Sequence, residues 1–485
     1  MLVMTGPDPI DPPDGPGRRL DAEAPGLSEV AVGKGFGDPE LRSLATGLVL
    51  TVTLVAFESL AVATVMPQVK DDLGGLGLYG WVFSGFFLGS LVGITVSGQM
   101  ADRRGMAGPF ALGIVLFAVG LVVGGSAVSM PMLVAGRVLQ GFGAGAIPSV
   151  AYTAIGRGIP ARLRPRLFAI LSSAWVLPGL VGPVVAAWVE HAWSWRWVFL
   201  GLLPIVALAA AMSLPVLRGL DSRVATSRAP LEVGRLLRVL ALVGGVGLVL
   251  AGLEVPVPAI AVVLVVAGLP VAIWSFEVLQ PPGTARLAPG VPATVAVRGL
   301  LTCAFFMGDA YVPLAVTDGL GGETWVAGVV LSVSAVLWSV ASWIQAQFIE
   351  RLGPRRMVGL GGVALGVGAA VMFATMVGLP LWAAVAAWAV AALGMGFAYS
   401  PLSVTVLASA TRGREGEASA ALQLSDTLGV AVGTGLGGAV VAVGAARGWA
   451  VNSTTSIVFV LSLVMAMVVV AASRRLPVSL PGDGS

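Results

Sequence analysis

Gly98-Gln-Met-Ala-Asp102-Arg103-Arg104-Gly105 joins two apolar runs through a short charged turn, and a weaker copy, Ile349-Glu350-Arg351-Leu352-Gly353-Pro354-Arg355-Arg356, joins two more in the second half of the chain. Over the whole chain 57% of residues are hydrophobic, 11% are charged and the mean hydropathy is +0.94. Soluble domains carry about 25% charged residues, so the composition is that of an all-α integral membrane protein. Its 485 residues suit a bundle of spans, each needing about 20 apolar residues.

Cys303 is the only cysteine and His191 the only histidine, which rules out an intrachain disulfide and a histidine-rich metal site. No metal or cofactor is expected. Residues 1–42 are rich in Pro, Gly and Asp without a helical or strand period and read as a disordered tail. This tail lacks the basic and apolar regions of a signal peptide, so the first span is expected to start insertion.

Hydropathy predicts spans over 43–66, 78–100, 108–128, 131–155, 167–189 and 197–216, a first bundle within 43–217. Two linking spans, 236–254 and 258–276, fall within 218–290. A second bundle within 291–473 holds 293–314, 325–348, 357–377, 381–408, 418–443 and 453–472, before a short tail over 474–485. The total is about fourteen. With alternating sides and a cytoplasmic N-terminus, 23 of the 28 Lys and Arg residues lie inside, so an N-in, C-in topology is expected. Arg157, Arg162, Arg164 and Arg166, with Arg218, Arg223 and Arg228, are then cytoplasmic anchors, and the pI near 9.4 does not call for a nucleic-acid partner. Short loops and arginine in place of lysine suit a bacterial inner membrane.

The halves repeat. Aligning Leu73-Gly74-Gly75 with Leu320-Gly321-Gly322 brings Trp81 close to Trp325 and Asp102 to within one residue of Glu350, while Gly141-Phe-Gly143 through Pro148 matches Gly394-Met-Gly396 through Pro401. Transporters often place their site between two such halves, and with one complete pair per chain a monomer is expected.

Several motifs carry a family resemblance. The first turn resembles the loop signature of the major facilitator superfamily, with Met100 for Leu and Met106 where a second basic residue is usual. Leu133-Val-Ala-Gly-Arg137-Val-Leu-Gln140-Gly141 is similar to that superfamily's fourth-span motif. Pro178-Gly179-Leu-Val-Gly182-Pro183 resembles its antiporter motif, with Ala186 and Ala187 replacing the trailing glycines. Phe57-Glu58 through Pro67 is similar to the first-span motif, with Glu for Asp, and Trp195-Arg196-Trp197-Val198-Phe199 resembles the sixth-span opening of the fourteen-span drug:proton antiporters. The resemblance implies two six-helix bundles, transport by alternating access and, through the antiporter motif, export rather than uptake. It also implies that Arg137 faces the cavity and tunes a proton site.

The residues have a chemistry of their own. Glu58 sits inside a span, where a carboxylate costs several kcal/mol and a carboxyl can gain and lose a proton during a cycle; a structural hydrogen bond is the alternative. Asp309 is the second such acid, about one turn from the register of Glu58 in the repeat. Arg137 needs a partner at that depth, with Glu58 or a backbone carbonyl as candidates. Asp102, set between Gly98 and Gly105, can accept from an exposed amide or pair with a neighbouring arginine, so Gly98, Asp102, Arg103, Gly105, Glu350 and Arg351 form a candidate conformational latch. The Gly179, Gly182 and Pro183 run removes side chains from one helix face and frees a carbonyl, as a rocking interface requires. Arg298, Glu254 and Glu277 read as snorkelling residues at span ends.

Candidates to line a cargo cavity are Gln140, Phe305, Phe306, Tyr311, Tyr399, Gln423 and Asp426, with Trp325, Trp338 and Trp343 as further aromatics. Aromatic faces accept lipophilic and cationic compounds. No Walker loop occurs and the acids lie singly on different spans, so neither an ATP-driven pump nor an enzyme is expected. The expectation is therefore a proton-driven exporter of hydrophobic or cationic small molecules. A proton-linked importer and a lipid-handling protein without coupled turnover are the rival readings.

Overall fold

The computed structural model describes residues 39–158, 174, 176–221, 232–410 and 415–479. The expected tail lies outside the described residues except for its last four, which already open the first helix. So do the start of the 167–189 span, Arg223, Arg228 and the side chains of the Arg157 to Arg166 cluster.

Every regular element among the described residues is helical, as lipid demands of a chain that must satisfy its own backbone. The first half comprises α1 (Pro39–Leu73), α2 (Tyr79–Arg104), α3 (Ala107–Gly125), α4 (Met130–Gly158), α5 (Val176–Ala192) and α6 (Leu203–Asp221). A hairpin of α7 (Val233–Glu254) and α8 (Pro258–Leu279) links it to the second half, α9 (Val291–Asp309), α10 (Thr324–Val377), α11 (Ala383–Ser409), α12 (Glu415–Ala446) and α13 (Val451–Ser473). Eleven helical stretches among the described residues are long and apolar enough to cross a membrane. The 54-residue α10 is two helices run together across Gly353, whose φ of 72° breaks the helical path. Helix α4, with its internal Arg137, and the 17-residue described part of α5 are not among the eleven.

The bundle has two faces. The turn face carries Gly105 and Gly353, and the far face carries the Leu73 to Tyr79 link. Within the first half α4 packs on α2 and α3, and α1 on α5 and α6; within the second, α9 packs on α12, α13 and α11. Backbone meets backbone in these crossings. A Cβ at Gly141 of α4 would overlap the main chain of Phe86 on α2, and one at Gly145 would overlap that of Ser90, the small-residue packing expected where lipid supplies no hydrophobic drive between helices.

The halves meet along α2 with α12 and along α5 with α10. Toward the far face α2 and α12 touch through glycine, since a Cβ on Gly80 would overlap the Cα of Gly438. Two polar contacts also cross there, Gln68 to Thr324 and the ion pair of Lys70 with Asp318.

Candidate functional site

Glu58, midway along α1, is fully buried. Its Oε1 pairs with Arg137 of α4 and accepts the Gln140 amide at 3.1 Å. Arg137 Nη1 also donates to Gln140 Oε1 at 3.2 Å, and its Nε to the Val82 carbonyl of α2 at 3.0 Å. The guanidinium carbon lies 4.2 Å from the centroid of the Phe86 ring. Spacing explains the convergence, because residues three apart on α4 leave the same face. Glu58 is the partner anticipated for Arg137, and the backbone carbonyl it meets is that of Val82 on α2, not one from the Gly-rich stretch that follows Gln140 on α4. All donors gather on one carboxyl oxygen, while Glu58 Oε2 is buried with no hydrogen-bond partner. A proton added at Oε2 therefore displaces no donor, and it cancels the charge that holds Arg137.

The second half carries its own buried ion pair, and here the sequence reading needs correction. Arg298 is not a snorkelling anchor. Its side chain, 5% exposed, points into the bundle, and its Nε donates to Asp426 Oδ1 of α12 at 2.7 Å. Nη1 donates to the Tyr399 carbonyl and the Ser403 hydroxyl of α11 at 2.6 and 3.1 Å, and Tyr399 in turn donates its phenol to Asp426 Oδ2 at 3.2 Å. Asp426 keeps 22% of its side chain exposed, which makes it the accessible member of the pair. Gln423 lies half-buried one turn before it on α12. Asp309 stands apart from both pairs, with its Oδ1 accepting the indole N–H of Trp388 at 2.8 Å.

An aromatic file runs between the two ion pairs. From Phe86 beneath Arg137 it passes to Phe87 at 5.2 Å and across the seam to Phe306 at 6.5 Å. It continues to Trp338 at 6.3 Å and Tyr399 at 5.3 Å, whose ring lies under Arg298. Phe305 packs beside it against Phe306, Trp338 and Trp388. Three other aromatics fall elsewhere than a cavity. Trp325 and Trp343 are 58% and 80% exposed on the outer surface of the bundle. Tyr311 is fully buried at the far face, packed on Tyr79 with its hydroxyl donating to the Thr434 carbonyl at 2.5 Å.

The turn that carries the expected latch is held by a residue that the sequence reading did not name. The Asp102 side chain lies outside the described residues. The acid that accepts the exposed amides is Asp221, at the end of α6, with Oδ1 2.6 Å from Met106 N and Oδ2 2.8 Å from Ala107 N. It fills the place beside Gly105 that a Cβ would need. Gly98 faces Ser149 of α4, and Arg103 is half-buried. In the second half Glu350 and Arg351 are exposed, and the oxygen seated at Gly353 is the carbonyl of Val478. Glu254 is likewise held, by the Trp81 indole at 2.6 Å, rather than snorkelling freely.

The Gly179, Gly182 and Pro183 run lies on the seam. Gly179 faces Ala335 of α10 and the Pro183 carbonyl faces Gly328, while Gly182 faces Phe57, next to Glu58.

Comparison with known proteins agrees with this architecture. The pattern of the Major Facilitator Superfamily matches residues 48–434. The "Probable multidrug-efflux transporter" of Mycobacterium tuberculosis is 28% identical over 462 residues, 90% of this chain and 96% of the relative. The multidrug transporter protein MdtP of Bacillus subtilis is 28% identical over 208 residues, 43% of this chain and 38% of the relative. Among solved structures, the POT family transporter PepTSo superposes with a TM-score of 0.66 at 14% identity over 89% of this chain and 98% of its own. A D-xylose-proton symporter superposes with a TM-score of 0.60 at 14% identity over 90% and 99%. At that identity the likeness speaks for the fold alone.

Proposed function

The chain belongs to the major facilitator superfamily, and from that premise we propose that it is a proton-driven exporter of hydrophobic or cationic small molecules, of the fourteen-span drug:proton antiporter kind. Both termini are cytoplasmic in this reading, the turn face is the cytoplasmic face, and the protein works as a monomer in a bacterial inner membrane. The observation that carries the proposal is the Glu58 carboxyl, with Oε1 bound to Arg137 and Gln140 and Oε2 unpartnered.

Ionised, Glu58 holds Arg137 and ties α1 to α4. Protonated at Oε2, it loses the charge that holds the pair, and Arg137 keeps only Val82, Gln140 and the Phe86 ring. The strength of the α1 to α4 tie then depends on the proton, as coupling requires. The far face is closed by Gly80 against Gly438 and by Lys70 with Asp318, so cargo enters from the turn face and meets the file of Phe87, Phe306, Trp338 and Tyr399. Asp426 sits at its end as an accessible carboxylate for a cation. The multidrug-efflux names of the relatives and the Gly179 to Pro183 run on the seam support export over uptake.

Transport of a lipophilic cationic dye into proteoliposomes, with the pH gradient imposed or collapsed, tests this reading. Gradient-driven dye movement in the wild type that is lost in Glu58→Gln is the expected result. Movement that ignores the gradient in the wild type would refute proton coupling, and movement with the opposite dependence would make the protein an importer.

A further inference from the structure

The linking hairpin α7–α8 lies over the line where the two halves meet. Helix α7 packs on α2 of the first half and on α12 of the second. Val239, Leu242, Val246 and Leu250 of α7 form one buried cluster with Leu88 and Leu91 of α2 and Ala431 of α12. Leu250 presses onto Gly435 of α12, where a Cβ would lie 2.7 Å from its Cδ2.

The hairpin's polar ties are unequal. At the turn face it goes with the second half, since Gln280, just past α8, donates its buried amide to the Ala421 carbonyl of α12 at 3.2 Å and the chain continues into α9. Among the described residues its polar ties to the first half are two. Gln99 of α2 reaches the Glu232 carbonyl at 3.5 Å, the outer limit of a hydrogen bond. At the far face the Trp81 indole donates to Glu254 Oε2 at 2.6 Å, a charge-assisted bond at the last residue of α7. Trp81 immediately follows Gly80, the residue that meets Gly438 where α2 and α12 touch.

Any opening of the far face separates α2 from α12 at Gly80 and Gly438. A hairpin that stays with α12 through Gln280 cannot follow α2, so in that movement the bond between Trp81 and Glu254 has to break and the Leu88 and Leu91 packing has to slide. We propose that α7–α8 is a strap across the α2 to α12 seam that holds the far face shut, with the Trp81–Glu254 bond as its catch. The strap is independent of what drives transport and of what is carried, and so goes beyond the export reading.

The test is an interspin distance measurement on the full-length protein in lipid nanodiscs, without cargo or gradient. Labels go on Val128→Cys and Leu379→Cys, both exposed at the far face in different halves, in a Cys303→Ala background. Trp81→Phe removes the donor but keeps a ring, and Glu254→Met removes the acceptor but keeps the length. Each is expected to raise the ratio of the long-distance to the short-distance population by about tenfold, the scale of one charge-assisted hydrogen bond. The double variant is expected to add little to either single change, as for two ends of one bond. Glu254→Gln, which still offers an oxygen to the indole, is expected to shift the ratio less than Glu254→Met. Unchanged distributions in both single variants, or fully additive shifts in the double, would overturn the proposal and leave the hairpin a spacer. Because no gradient is applied, either result stands apart from the transport assay.

Discussion

Gly105 and Gly353 adopt the same backbone in the two halves, with φ, ψ of 88°, 175° and 72°, 162°, and each has an oxygen from the C-terminal end of its own half seated where a Cβ would go. That conformation is essentially reserved for glycine. For Gly105 the oxygens belong to Asp221, and for Gly353 the oxygen is the Val478 carbonyl. The expected cost of Gly105→Ala is about 1–3 kcal/mol from backbone strain alone, plus displacement of Asp221 from the Met106 and Ala107 amides. Thermal unfolding in detergent should show a clear loss for Gly105→Ala and Gly353→Ala, and none for Gly108→Ala, a helical position with open space around it.

Arg137→Gln leaves Glu58 as a buried acid without its cation. Breaking one side of a buried pair typically costs about 3–5 kcal/mol. Glu58→Gln together with Arg137→Gln removes both charges and is expected to be more stable than Arg137→Gln alone. A thermal-shift comparison of the three proteins checks this; a double variant less stable than both singles contradicts the pairing.

Arg298→Lys is expected to behave as a loss rather than a conservative change. The guanidinium reaches Asp426, the Tyr399 carbonyl and Ser403 from two nitrogens while its central carbon lies 3.0 Å from the Tyr399 ring centroid, and an ammonium cannot reproduce that fork. Equilibrium binding of the cationic dye to detergent-solubilised protein should weaken in Arg298→Lys, because Asp426 and Tyr399 lose their alignment, and weaken most in Asp426→Asn. Glu58→Gln should retain binding while losing gradient-driven transport.

Trp388→Phe removes the only hydrogen bond described for the Asp309 side chain, at an expected cost of about 1–3 kcal/mol if the oxygen is left unsatisfied. Trp388→Phe with Asp309→Leu should recover part of that loss in the same thermal assay. Independent, additive effects would show that the bond does not matter to stability.

Gly80→Leu forces a side chain into the backbone of α12 at Gly438. The expected outcome is a far face held apart, read as raised reactivity of a cysteine at Ser84, buried one turn inside the contact, toward a membrane-impermeant maleimide. Reactivity equal to that of the unsubstituted Gly80 protein would show that the crossing does not seal this face.

Much of this was legible in the sequence, for reasons that also explain what was not. Apolar runs of span length fix where helices cross, and a charge at membrane depth must find a partner, so Glu58 and Arg137 declared themselves, whereas Gln140 read as a cavity residue and is their buried partner. Hydropathy reports depth but not which way a side chain points. Arg298, seven residues past the start of α9, therefore read as an anchor although it faces inward. Tyr311 read as a cavity aromatic and Trp388 went unnoticed, because nothing in sequence shows that a phenol meets the Thr434 carbonyl or that an indole N–H meets Asp309. Asp221 was missed because its partners are main-chain amides more than a hundred residues earlier, and a backbone target leaves no residue signature.

At Gly80 on Gly438 and at Pro183 on Gly328 the halves touch through bare main chain, beside the side-chain contacts of Phe87 with Phe306, Gln68 with Thr324 and Lys70 with Asp318 that also cross the seam. Side chains can swing through rotamers and keep partial contact while two surfaces separate; peptide backbone cannot, and dispersion between such close atoms is largely forfeited within the first ångström of separation. The two halves therefore part like stiff plates that are either seated or free. Opening becomes an abrupt event with few intermediate positions, which suits a carrier that must never be open on both sides at once.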